Sequence, residues 1–139
     1  MTPTPEPARR LPRAIAAGAA ATRAWRALLA LLLVAVSYLA LTPAPPQAID
    51  LGWDKLNHVA AFGALAFSAS LSVPASRRTR VLLLFMLFGY GGLIEVLQQF
   101  VPGRACEWGD LFADSMGIVL GAVLAAVLIR TVSGQAPPI

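Results

Sequence analysis

An all-α membrane protein, a bundle of four transmembrane helices with both termini cytoplasmic, is the fold class this sequence predicts, and three observations predict it. Of its 139 residues, 58% are hydrophobic and only 13% charged, with a mean hydropathy of +0.70, well outside the range of soluble domains. Four apolar runs of near-membrane length are separated by prolines and polar turns. Cations and acids fall on opposite sides of those runs when the chain is threaded back and forth.

Taken in order, residues 1–13, MTPTPEPARRLPR, combine four prolines with three arginines and no apolar periodicity, so an irregular basic tail is expected. The Ala-rich AIAAGAAATRA that follows suits an interfacial helix, making 1–24 a tail that is helical in part near the membrane. The first span covers about 27–42. Its apolar ALLALLLVAVSYLAL rises only about 22 Å against a hydrocarbon core of roughly 30 Å, so Trp25, Arg26 and Thr42 complete it, and Pro43, Pro45 and Pro46 stop it. The second span, about 55–73, begins with polar residues, is only moderately apolar and ends at Pro74. The third, about 81–101, ends at Pro102-Gly103, and the fourth, about 111–129, is closed by Arg130 and a short polar tail, 131–139.

Charge decides the orientation, because Lys and Arg accumulate in short cytoplasmic loops. Arg9, Arg10, Arg13, Arg23 and Arg26 precede span 1; Arg77, Arg78 and Arg80 lie between spans 2 and 3; Arg130 follows span 4. The other side receives Lys55 and Arg104 with six of the seven acids: Asp50, Asp54, Glu95, Glu107, Asp110 and Asp114. Four spans satisfy the rule throughout, and this agreement rescues the weak second one. A cleaved signal peptide is the rival reading of span 1, since a basic start, an apolar run and the small residues of LTPAPPQA fit it too; it would leave three spans. The arginines flank apolar runs instead of forming one basic surface, so no nucleic-acid partner is expected. Cys106 is the only cysteine, which excludes an intrachain disulfide.

The polar residues then gather at the outer ends of spans 2, 3 and 4. Asp54 and His58 share a face of span 2, Glu95 stands three and four residues before Gln98 and Gln99, and Asp110, Asp114 and Gly117 repeat the spacing on span 4. Each also has a structural reading. Asp54 and Asp110 fall where an N-cap would stand, and Lys55 can lie at the interface with its stem buried. His58 can serve as a packing residue, or have its ring oriented by Asp54 and faced by a carboxylate of span 3. Glu95 is the costliest, a carboxylate inside an apolar segment that needs a partner or a proton; its structural alternative is a buried clamp to Arg104. Gly117-x-x-x-Gly121 and Gly89-Tyr-Gly91-Gly92 are expected to let helices approach closely. There is no phosphate-binding glycine loop, no Ser-centred elbow and no Cys/His zinc spacing. A metal held by His58, Glu95 and Asp114 would take its ligands from three helices, which spacing cannot reveal; no metal or cofactor is expected.

The stretches DKLNHVAAFGAL, GYGGLIEVLQQFVPGR and DLFADSMGIVLG, in that order and spacing over about residues 25–130, resemble the VanZ-like family of small bacterial membrane proteins. Asp54, Lys55, His58, Glu95, Gln98 or Gln99, Arg104 and Asp110 match the family's pattern. Cys106, where an apolar or aromatic residue is expected, and Asp114, where Asn is more frequent, depart from it. The resemblance implies a multi-pass protein of a bacterial cell membrane, and its founding member looks like a teicoplanin resistance factor. Three functions stay open. One is a binding module at an extracytoplasmic polar site (His58, Glu95, Gln98, Gln99, Arg104, Lys55, Asp110, Asp114) that holds a lipid head group, a lipid-linked wall precursor or a lipoglycopeptide. Another is a membrane enzyme on lipid-linked substrates, with His58 as base, Asp54 as its orienter and Glu95 as acid. The last is a structural assembly factor. A transporter is disfavoured, since polarity is confined to one side. The lipid bilayer is the constant partner, and self-association of so small a bundle is left open.

Overall fold

The computed structural model describes residues 10–43, 51–73, 76–104 and 106–134. The expectations for residues 1–9, Pro45, Pro46, Asp50, Pro74 and the tail beyond Gly134 lie outside them. The fold is all-helical: α1 (Arg10–Leu41), α2 (Asp54–Leu71), α3 (Arg77–Gln98) and α4 (Trp108–Gly134) run up and down in sequence. Three of them are long and apolar enough to cross a membrane, over Gly18–Leu41, Arg77–Gln98 and Trp108–Val132.

The first helix is longer than the sequence suggests. The Ala-rich stretch does not form a separate interfacial element, and the expected irregular tail gives way to helix at Arg10. Alanine is the strongest helix former, and Pro12 falls in the first turn, where its missing N–H removes no intrahelical bond. The outer helices are also shifted by a few residues: α3 starts at Arg77, where the Ser76 side chain caps the Thr79 N–H at 3.4 Å, and α4 begins three residues before the apolar run.

α2 is not apolar enough to stand among these three spans, yet it has the largest buried share of its residues. Phe62, Leu65, Ala66, Ser68, Ala69 and Ser70 are all buried on it. Phe62 and Leu65 head a core completed by Ala66, Ala69, Leu87 of α3 and Ile118 of α4, with Leu29, Leu32, Leu33 and Val36 of α1 packed against it. Its low hydropathy comes from the polar residues at its start, Asp54, Lys55, Asn57 and His58, while the rest of the helix packs one face on protein. The lipid-facing burden passes to α1, α3 and α4, where Leu31, Val34, Phe85, Met86, Val119 and Val123 are more than half exposed.

The closest packing is between α2 and α4. A Cβ on Gly117 would lie 2.5 Å from the Val59 carbonyl oxygen and 3.0 Å from the Gly63 nitrogen, and one on Gly121 would overlap the Gly63 carbonyl. Two glycines of α4 and one of α2 thus put the two backbones in direct contact, the arrangement by which membrane helices associate without apolar burial as a driving force. On α3 only Gly91 works this way, its Cβ position lying 2.6 Å from Asp114 Oδ2 and 3.2 Å from the Phe62 ring; Gly89 and Gly92 face open space. The expectation for that Gly-rich stretch therefore holds at one position of three, because 100° per residue turns the other two away.

The helix ends are tied crosswise. At one end the Arg26 Nε of α1 donates to the Ser72 carbonyl at the C-terminus of α2, at 2.9 Å. In mid-bundle Ser37 and Tyr90 join α1 to α3 through a hydroxyl pair at 2.8 Å. The contrast between glycines gives a direct test. Gly121→Ala forces a side-chain carbon into a backbone oxygen that cannot give way, and a loss of about 1–3 kcal/mol, typical of overpacking, is expected as a lowered unfolding midpoint in detergent. Gly92→Ala, which meets no atom and gains helix propensity, should not lower that midpoint; an equal fall in the two would contradict the packing described.

Candidate polar site

At the end of the bundle where α1 and α3 finish and α2 and α4 begin, the ionisable residues form one layer. Positions 110, 114, 117 and 121 make a single stripe on α4, acids in the first two turns and glycines below. Because the glycines press that stripe onto α2, Asp110 and Asp114 are carried against Lys55 and His58. The Lys55 Nζ donates to Glu107 Oε2 at 2.9 Å and to Asp110 Oδ1 at 3.2 Å. His58 Nδ1 lies 2.8 Å from Asp114 Oδ1, while its Nε2 faces Asp110 Oδ2 at 3.9 Å and Asp54 Oδ2 at 4.0 Å.

Several expectations change here. The ring of His58 is oriented by Asp114 of α4 and not by Asp54, whose side chain is largely exposed; Glu95 of α3 faces the ring as expected, with a carboxylate oxygen within 4.8 Å of it. Neither Asp54 nor Asp110 is an N-cap: Trp53 holds that position on α2 without a side-chain cap bond, and Asp110 is buried in the first turn of α4, where its charge still favours the helix dipole. Lys55, still partly exposed, is the centre of a double ion pair.

The clamp between Glu95 and Arg104 is absent. Arg104 instead reaches α1, where its Nη2 donates to the Leu39 carbonyl at 2.9 Å and its Nε to that of Thr42 at 3.3 Å. Gln98 adds a third such bond, Nε2 to the Ala40 carbonyl at 3.1 Å. The last carbonyls of a helix have no intrahelical partner and carry partial negative charge, so a cation and an amide are drawn to them. Gln98 belongs to this layer, whereas Gln99, the C-cap of α3, is exposed.

Glu95 is 4% exposed and Asp114 fully buried. Glu95 Oε2 accepts from the Glu107 backbone N–H at 3.2 Å. Its Oε1, Asp114 Oδ2 and Gln98 Oε1 are buried with no hydrogen-bond partner among the described residues. That is a costly arrangement, since a buried acceptor deprived of a bond loses its hydration without return. Two trios of candidate metal-binding groups result, Asp54/His58/Asp110 and His58/Glu95/Asp114, each with its ligand atoms within 4.8 Å of one another.

Beside them opens a pocket of about 230 Å³ lined by Asp54, Gln98, Gly103, Arg104, Glu107 and Asp110. A larger groove of about 470 Å³ between α3 and α4, which includes Val81, Phe85, Phe88, Val119 and Val123, presents no polar surface; it belongs to the lipid-facing flank. Glu107 is the member that sequence reasoning passed over as a site residue. Its signal was its place three residues before Asp110, at the start of a helix whose first-turn acids must meet a cation. Cys106, half-buried in the loop between α3 and α4, stays a lone thiol.

Fold and site define a multi-pass membrane protein whose described acidic residues gather at one end of a helical bundle. The chain belongs to the VanZ/LLP1 family, whose model matches residues 18–130, a span that includes all of α2, α3 and the polar layer. No curated protein and no solved structure matches it.

Proposed function

We propose that all four helices cross a bacterial cell membrane with both termini cytoplasmic, and that the polar layer is an extracytoplasmic site for the head group of a membrane-anchored amphiphile. The topology is supported by charge: Arg26, Arg77, Arg78, Arg80 and Arg130 stand away from the acid-rich end, as cytoplasmic loops require. α2, with 18 residues, rises about 27 Å, close to the hydrocarbon thickness, and its burial by the other helices removes the objection from its modest hydropathy.

The observation that carries the binding reading is the pocket itself. It is small, polar and placed at a membrane surface, and Asp54, Glu107 and Asp110 outnumber Arg104 along its wall. Such a lining favours a head group rich in hydroxyl, amide and ammonium donors over one that offers phosphate alone. Lipid-linked wall precursors and lipoglycopeptides of the teicoplanin type carry heads of that chemistry on an apolar anchor, which agrees with the resistance role that family membership suggests. A second reading, an enzyme on lipid-linked substrates, is favoured by one distance: His58 at 2.8 Å from the fully buried Asp114 is a base held in one tautomer and orientation.

Topology is checked with Cys106. A membrane-impermeant maleimide should label it in intact cells, while a cysteine placed at Ser76 in a Cys106→Ala background should react only after lysis; the reverse pattern would overturn the orientation. Function is checked in a sensitive bacterial host at matched membrane abundance. Wild type should raise the inhibitory concentration of teicoplanin but not of vancomycin, and Glu95→Gln should lose the effect. No change with wild type would refute the resistance reading. A mass change in the lipid-linked precursors of the same cells, lost in His58→Ala, would replace binding with turnover.

A further inference from the structure

Charge in the polar layer does not balance where it is most deeply buried. Arg104 is committed to the carbonyls of Leu39 and Thr42, and Lys55 to Glu107 and Asp110. Glu95 and Asp114, both more than nine-tenths buried, are left facing a single imidazole. Each presents one carboxylate oxygen without a hydrogen bond among the described residues, and one ligand atom from each of His58, Glu95 and Asp114 lies within 4.8 Å of the others. Buried carboxylates are expected to be paired, protonated or bound to metal.

We propose that His58, Glu95 and Asp114 form a binding site for one divalent first-row transition cation of the Zn²⁺ or Mn²⁺ kind. The donor set of one imidazole and two carboxylates selects that class over Ca²⁺ or Mg²⁺, which prefer all-oxygen shells. Three helices supply one ligand each, so the ion would tie α2, α3 and α4 together at the polar end. A contraction of about 1 Å brings such atoms to the 2.0–2.2 Å bonds of zinc. Gly91 leaves the space that Asp114 Oδ2 occupies, since a Cβ there would stand 2.6 Å from it. Asp54 and Asp110, which line the pocket and face His58 Nε2, mark the route by which a cation enters. The Lys55 ammonium on Asp110 makes that outer trio the poorer resting place. Ligation needs a neutral imidazole and ionised carboxylates, so binding weakens on acidification.

This inference goes beyond head-group binding and is tested without any head-group ligand, so its failure leaves that reading standing and the converse is equally true. Full-length protein in lipid nanodiscs, stripped with chelator, is titrated with Zn²⁺ by calorimetry and with Co²⁺ by visible absorption. One ion per chain is expected, with a Co²⁺ band that tracks occupancy. Glu95→Gln, which keeps the oxygen that accepts from the Glu107 N–H, and Asp114→Asn should each weaken Zn²⁺ about tenfold or more, the loss seen even for groups outside the ligand shell. Cys106→Ala should bind as wild type does. Helicity and unfolding midpoint are measured on every variant, and if Asp114→Asn fails to fold, Glu95→Gln carries the test. Failure of the folded wild type to bind, binding that persists in Glu95→Gln, or binding lost in Cys106→Ala would each overturn the assignment.

Discussion

The contact on which the rest of the structure depends is the one between the backbones of α2 and α4. Gly63, Gly117 and Gly121 remove the side chains that would hold the two helices apart, and in lipid, where apolar burial supplies no attraction between helices, close van der Waals contact must do so. Once that seam is set, the register of α4 is no longer free. Asp114 stands one turn above Gly117 and meets His58, one position before Val59, whose backbone Gly117 touches. The polar site follows from the packing of the layer beneath it.

The same seam explains how a chain this apolar tolerates buried carboxylates. The polar start of α2 runs alongside the start of α4, which brings Lys55 and His58 into reach of the acids there. The remaining polar side chains of the layer are used to end α1, whose last carbonyls take Arg104 and Gln98. Cations are thereby drawn to helix ends and to the rim, and the deepest acids, Glu95 and Asp114, are opposed by His58 alone.

Much of this was legible in the sequence, and the limits are physical. The four helices could be read because apolar length and charge asymmetry are properties of single segments. The polar layer could be read because His58, Glu95 and Asp114 all fall at the ends of their spans that charge places on one side. Who meets whom could not: rotation of one helix about its axis is set by its neighbours, and no spacing within α2 tells whether His58 turns to Asp54 or to another helix. The Glu95–Arg104 clamp seemed natural because opposite charges nine residues apart attract, but the open carbonyls of α1 compete for the same guanidinium and are invisible to a reading of side chains. Gly89 and Gly92 were overvalued for a related reason, since only the neighbour decides which glycine of a cluster faces it.

α2 and α4 meet through a direct His58–Asp114 interaction held by the glycine seam. A double-mutant cycle on reversible unfolding in bicelles, with His58→Ala, Asp114→Ala and the pair, measures it most directly. A coupling of about 1–3 kcal/mol, in the range for contacting polar residues, is predicted. Strict additivity of the two substitutions would show that the side chains do not interact, and with that the proposed assembly of the site would fail.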